Sequence, residues 1–219
     1  MSQEIWTAVD NYFGALLPQD EILEATLKAQ VDAGLPAINV APNQGKMLQL
    51  LAQIHGSRTI LEIGTLGGYS TIWLARALPA GGRLVTLEYE PKHAEVARAN
   101  FERAGLSSVI EVRVGRAIDT LPALTGPFDF IFIDADKPSN ADYFQWALKL
   151  SRVGTVIIVD NVVRNGGVAD PKSTDANVIG VQRVTELIAA EPRVSATTIQ
   201  TVGSKGYDGF TLALVTREA

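Results

Sequence analysis

Thr59-Ile60-Leu61-Glu62-Ile63-Gly64-Thr65-Leu66-Gly67-Gly68-Tyr69-Ser70 is the stretch on which the fold turns. Its first five residues form a short, mostly apolar run, the pattern of a buried strand. The glycines that follow permit positive φ and let backbone approach a ligand closely. Amphipathic helical spacing then takes over through Ile72, Leu74 and Leu78. Strand, glycine turn and helix in that order open a βαβ unit.

Toward the C-terminus the alternation repeats. Residues 83–87 predict a second strand, and 91–104 a helix with Pro91 in its first turn. Further strands are expected at 109–114, 128–133 and 155–159. A helix bearing Tyr143, Phe144, Trp146, Ala147 and Leu150 lies between the last two. Residues 194–199 and 209–215 read as two closing strands separated by a loop. Toward the N-terminus, Ile5, Val9, Tyr12, Phe13 and Leu16 recur at helical spacing until Pro18. Ile22, Leu23, Thr26, Leu27 and Val31 make a second stripe, closed by Gly34 and Pro36. Pro42 opens a third, with Gly56 past its end. This order predicts one α/β domain over residues 1–219, a mostly parallel sheet covered on both faces, and a helical lead-in over 1–55.

Composition narrows the function classes. A chain of 219 residues supports one domain with a substantial core and is short for two. Its 47% hydrophobic and 20% charged residues are ordinary for a globular protein. The absence of cysteine removes disulfides, thiolate metal sites and a cysteine nucleophile together. Met1-Ser2-Gln3-Glu4-Ile5-Trp6 has no basic cluster ahead of an apolar run, so no signal peptide is expected. No apolar stretch reaches roughly 18 residues, so no membrane span is expected, and the cytoplasm fits. The net charge is −5 with no basic block, which argues against a nucleic-acid partner. His55 and His93, at a helix end and a helix start, read as surface residues.

In open parallel sheets ligands bind beyond the carboxyl ends of the strands. From Gly64 the spacing is Gly-x-x-Gly-Gly, not the Gly-x-Gly-x-x-Gly of a dinucleotide site. Glu62, two residues upstream, suits a ligand with a cationic ammonium, such as S-adenosylmethionine. A plain glycine turn without ligand is the alternative. Glu88, closing the second strand, is placed to accept hydrogen bonds from both ribose hydroxyls of an adenosine, or else to cap the helix near Pro91.

The strand at 128–133 runs into Asp134-Ala135-Asp136-Lys137, and the strand at 155–159 into Asp160-Asn161. If these parallel strands are neighbours, their ends lie about 5 Å apart. Asp134, Asp160 and Asn161 then offer three hard oxygens to one point. Two unpaired carboxylates would repel, and a divalent cation resolves the conflict. Oxygen ligands favour magnesium first, with calcium or manganese as alternatives to it, over zinc. The competing reading has both acids capping the segments that follow. Lys137 either neutralises this cluster or takes part in catalysis.

At these residues the sequence resembles the cation-dependent O-methyltransferases, the family of catechol and caffeoyl-CoA O-methyltransferases and their bacterial relatives. Glu62-x-Gly64-x-x-x-Gly68-Tyr69-Ser70, Ile133-Asp134-Ala135-Asp136-Lys137 and Val159-Asp160-Asn161 match its motifs in order and spacing. The resemblance implies a Rossmann-like class I methyltransferase fold, with a seven-stranded sheet and an antiparallel C-terminal strand. It implies that Val40, Glu62, Gly64, Thr65, Gly68 and Ser70 bind the methionine part of the cofactor. Glu88 would hold the ribose, with Tyr89 and Ala117 near the adenine and Asp134 and Asp136 also against the cofactor. Asp134, Asp160 and Asn161 would bind the metal, Asn165 would lie near the acceptor, and Lys137 matches the proposed general base. Asp136 stands where the animal catechol enzyme has a bulky aromatic, so this chain is more similar to the plant and bacterial branch. Arg164 and the loop Asn165-Gly166-Gly167-Val168 are expected to shape acceptor choice. A homodimer through the N-terminal helices is also implied.

The expected activity is therefore methyl transfer from S-adenosylmethionine to one of two adjacent hydroxyls on a catechol-like small molecule, with a divalent metal and Lys137 assisting. The segment around Asn39 and Val40 is the expected lid. Hydroxylated uridine in transfer RNA, a substrate of some bacterial relatives, is the alternative acceptor. An NAD-dependent oxidoreductase is opposed by the glycine spacing, and a non-catalytic cofactor-binding module by the metal-ligand triad.

Overall fold

Side chains alternate across each strand, and that alternation sorts the core into two layers. In the computed structural model, which describes residues 2–218, α1 (Gln3–Leu16), α2 (Glu21–Asp32) and α3 (Pro42–His55) precede β1 (Thr59–Ile63). Then follow α4 (Tyr69–Ala75), β2 (Arg83–Glu88), α5 (Pro91–Arg103), β3 (Ile110–Val114) and the short α6 (Ala117–Thr120). The chain closes with β4 (Phe130–Ile133), α7 (Asn140–Lys149), β5 (Val156–Asp160), α8 (Ala176–Ala190), β6 (Val194–Gly203) and β7 (Gly206–Val215).

The seven strands form one sheet in the order β3-β2-β1-β4-β5-β7-β6. The first five pair in parallel, and β7 runs antiparallel to both of its neighbours. On one face Leu61, Ile63, Val85, Leu87, Ile131 and Ile133 meet α7 and α8 through Phe144, Ala147, Val181 and Val184. On the other, Ile60, Leu84, Phe130 and Phe132 meet α3, α4 and α5 through Leu48, Ile72, Leu74 and Phe101. The seven-stranded α/β architecture is the expected one.

Four local readings need correction. The helix expected through Leu78 ends at Ala75, because Pro79 disfavours helical backbone before it, and the 74→77 and 75→78 bonds tighten the last turn. The last two strands are longer than expected, and Ser204 and Lys205 alone join them. Helix α8 was not anticipated, although Asp175 caps it at 2.7 Å and Val178, Val181, Val184 and Ile188 give it a buried stripe. The histidines are half-buried and partnered. His55 Nε2 donates to the Gly154 carbonyl at 2.8 Å, and His93 Nδ1 lies 3.3 Å from Glu88.

Candidate active site

β1 sits at the centre, with β2 on one side and β4 on the other, so the connections leave it in opposite directions and open a crevice at its carboxyl end. Gly64 stands in that crevice with φ 103°, and a Cβ there would lie 2.1 Å from the Asp134 carbonyl oxygen. No side chain fits between the two strand ends, which is why glycine follows Ile63. Gly68, with φ 85°, starts α4 and packs on Phe101.

Beside the crevice lies a cavity of about 680 Å³, within the usual range for a small-molecule site. Val40, Gly64, Thr65, Ser70, Glu88, Tyr89, Ala117, Asp134, Asp136, Lys137 and Asn161 all line it, joining residues up to 121 positions apart. The expected lid segment supplies Ile38, Asn39 and Val40, tethered where Lys205 Nζ donates to the Ala37 carbonyl at 2.9 Å.

Four expected residues stand elsewhere. Glu62 has no exposed surface and lies behind Ser70, accepting from Ser70 at 2.7 Å, Thr86 at 2.7 Å and also Thr71. Burial pushes its carboxyl up to about 7 despite these hydroxyls, and the Asp134 charge adds to the effect. Gly68 shapes the turn without forming the wall. Asp160 is buried beneath the wall, and Asn165 is exposed outside it.

Glu88 does two jobs. One carboxylate oxygen accepts from the Thr65 and Leu66 amides at 3.1 and 2.7 Å, fixing the glycine turn. The other accepts from the Glu90 amide at 2.9 Å, one residue ahead of α5, so Glu88 does not cap that helix. Asp136 accepts from the Tyr143 hydroxyl at 2.6 Å.

At the next pair of strand ends, β4 and β5 lie in register, with Ile133 opposite Val159, and Asp134 and Asp160 follow. Lys137 is buried and donates to Asp134 at 2.8 Å. Asp160 accepts from the Asn161 amide at 2.8 Å and the Gln44 side chain at 2.6 Å. Burial and the facing Asp134 charge push the Asp160 carboxyl up, while Lys137 opposes them. Asn161 holds φ 55°, a conformation asparagine tolerates better than most residues. Gln44 went unrecognised in the sequence, and so did Asn177 as a wall residue, while Arg164, expected to shape acceptor choice, lines the cavity. No motif marks Gln44, since 116 residues separate it from Asp160.

Known proteins share this architecture. The solved O-methyltransferase from Bacillus cereus, in complex with SAH, superposes with a TM-score of 0.96 at 62% identity, covering 98% of this chain and 100% of that one. TomG from Streptomyces achromogenes, an O-methyltransferase involved in tomaymycin synthesis and solved with SAM, matches at TM-score 0.96 and 55% identity, over 99% and 100% of the two chains. A Niastella koreensis protein named catechol O-methyltransferase is 55% identical over 98% of this chain and all of its own length. With the O-methyltransferase family pattern matching residues 15–216 as well, the chain belongs to the O-methyltransferase family.

Proposed function

We propose that the chain methylates one of two adjacent hydroxyls on a catechol-like small molecule, using S-adenosylmethionine and a divalent cation. The observation that carries this reading is the meeting of Asp134, Asp160, Asn161 and Lys137 at the strand ends beside the cavity. The relatives' names and bound SAH or SAM support the cofactor and the acceptor class.

The residues fit a hard cation. Two facing carboxylates, one raised by the other, are relieved by a positive charge between them. Among the described residues no three His, Cys, Asp or Glu side chains form a metal cluster, so the set is two carboxylates and the Asn161 amide. Such a set leaves coordination places for water and acceptor oxygens, with magnesium the best match.

S-adenosylmethionine supplies an electrophilic methyl group, and the cation supplies Lewis acidity that lowers the pKa of an acceptor hydroxyl. Asp134 accepts from Lys137 Nζ and so orients it. Lys137 is assigned the base, which as the free amine would take the hydroxyl proton and become the ammonium while the methyl group passes to the oxygen and S-adenosylhomocysteine leaves. Ser70 connects the cavity wall to Glu62, giving the cofactor's amino group a polar seat with a buried acid behind it. Val40 and Ile38 wall off solvent on the lid side. The same reading includes a homodimer through α1, which buries none of its residues and exposes Tyr12, Phe13 and Leu16.

Labelled S-adenosylmethionine, offered with a panel of catechols in magnesium and then in EDTA, tests the proposal. The expected result is transfer that EDTA abolishes and that Asp160→Ala lowers at least a hundredfold, with cofactor binding retained. Transfer that survives EDTA overturns the metal assignment, and no transfer to any catechol overturns the acceptor class.

A further inference from the structure

Two guanidinium groups line the cavity. Arg116, beside Ala117, is about two-thirds exposed and faces Asp119 at 3.9 Å. Arg164 lies on the other side, three residues past Asn161, and is more enclosed. Its φ of 55° belongs to the left-handed region, which a residue bearing a side chain adopts rarely and at a cost. Asp208 holds it there, accepting from the Val163 and Arg164 amides at 2.9 and 3.0 Å. The backbone is thus locked in a shape that turns Arg164 onto the wall.

The guanidinium itself is underused. Its Nη1 stays 3.8 Å from the second Asp208 oxygen, beyond hydrogen-bond distance, and its Nε is buried without a partner. Among the described residues no acceptor takes a hydrogen bond from this side chain. A structural counterion would be drawn closer, because an enclosed donor left unmet is unfavourable.

Asn177 adds a second free donor. It lies in the first turn of α8, lines the same cavity, and its side-chain amide has no hydrogen bond to a described residue. The two elements are packed together: Gln182 Nε2 donates to the Val168 carbonyl at 3.0 Å, and a Cβ on Gly167 would touch Val178 at 3.1 Å. Arg164 and Asn177 therefore stand on adjoining supports around one opening.

We infer that Arg164, with the Asn177 amide, forms an anion subsite on the acceptor side of the cavity. The preferred acceptor is then a dihydroxybenzene carrying a carboxylate away from its hydroxyls. This rests on the catechol reading above. Two parallel guanidinium donors match a carboxylate, and the amide supplies another. Three residues of chain reach at most about 10 Å, so an aromatic ring and its substituent can bridge from Asn161 to Arg164. The positive group also offsets the repulsion that Asp134 and Asp160 would exert on an anionic acceptor.

The test compares 3,4-dihydroxybenzoate with 4-methylcatechol, which has a methyl group in place of the carboxylate. The wild-type enzyme with magnesium should prefer the acid at least tenfold in kcat/KM. In Arg164→Gln that ratio should fall at least tenfold, carried by a higher KM for the acid. Arg164→Lys, which keeps the charge but not the paired donors, should recover part of it. No wild-type preference, or an equal loss on both compounds in Arg164→Gln, overturns the subsite. If neither compound is methylated, the catechol reading fails, and calorimetric binding of the same acid decides the subsite separately. Tenfold weaker binding to Arg164→Gln than to wild type then supports it, and equal affinity overturns it.

Discussion

Glu62 shows how burial rewrites the chemistry of a single residue. Its carboxyl, pushed up to about 7, keeps a proton in the native state that the unfolded chain gives up near 4.5. The native state then binds more protons than the unfolded one between those values. Glu62 therefore withdraws stability as pH rises from about 4.5 to about 7, and the penalty levels off above that. Glu62→Gln, which cannot ionise, should gain on the wild type in thermal unfolding temperature across this window and hold a constant difference above it. A difference that stays flat from pH 4.5 to 8 would sink the argument. Two residues on from Glu62, Gly64 obeys a simpler constraint, since contact with the Asp134 carbonyl leaves no room for any side chain.

At the scale of elements, α8 seats the turn that carries Lys137. A Cβ on Gly180 would lie 2.2 Å from the Lys137 carbonyl oxygen and 2.8 Å from Pro138 Cα. These are backbone atoms and cannot swing aside, so Gly180→Ala forces the helix and the turn apart. Overpacking of this kind costs about 1–3 kcal/mol, or a fall of roughly 2–12 °C in Tm for a chain of this size. A lower kcat should accompany it, because Lys137 moves with its backbone. Thermal unfolding and initial rates on the same variant check both, and an unchanged Tm would mean that α8 yields where the geometry says it cannot. The glycine turn is fixed differently. Its amides depend on Glu88, which belongs to the neighbouring strand, so the turn takes shape only once β1 and β2 have paired.

For the whole molecule the outstanding feature is an unfinished surface. Helix α1 exposes Ile5, Val9, Tyr12, Phe13 and Leu16, Leu17 is exposed just past its end, and the edge strand β6 exposes Ile199 and Val202. Exposed apolar side chains gathered on two elements that touch point to a contact site. Sedimentation should find the proposed dimer at micromolar concentration, and Phe13→Ser with Leu16→Ser should leave a folded monomer; a monomeric wild type would refute the dimer. The strands and most helices were legible in the chain because periodicity is local: Ile60 and Leu61 read as core whatever lies beyond them. Motif spacing likewise placed Asp134 and Asp160 at strand ends, because strands of known direction end where the motif does. Three things were not legible. Glu62 reads as a ligand-facing acid until α4 and β2 are seen to close over it with Ser70, Thr71 and Thr86. Gln44 and Asn177 carry no local signature, and their roles come from contacts over more than a hundred residues or from a shared cavity. The sequence by itself determined the sheet, the glycine turn and the acids at the strand ends, since each follows from short-range sterics and hydrophobic alternation. Tertiary structure alone decided which acids face the cavity and which donors stand unpaired in its wall, because burial and long-range packing set both.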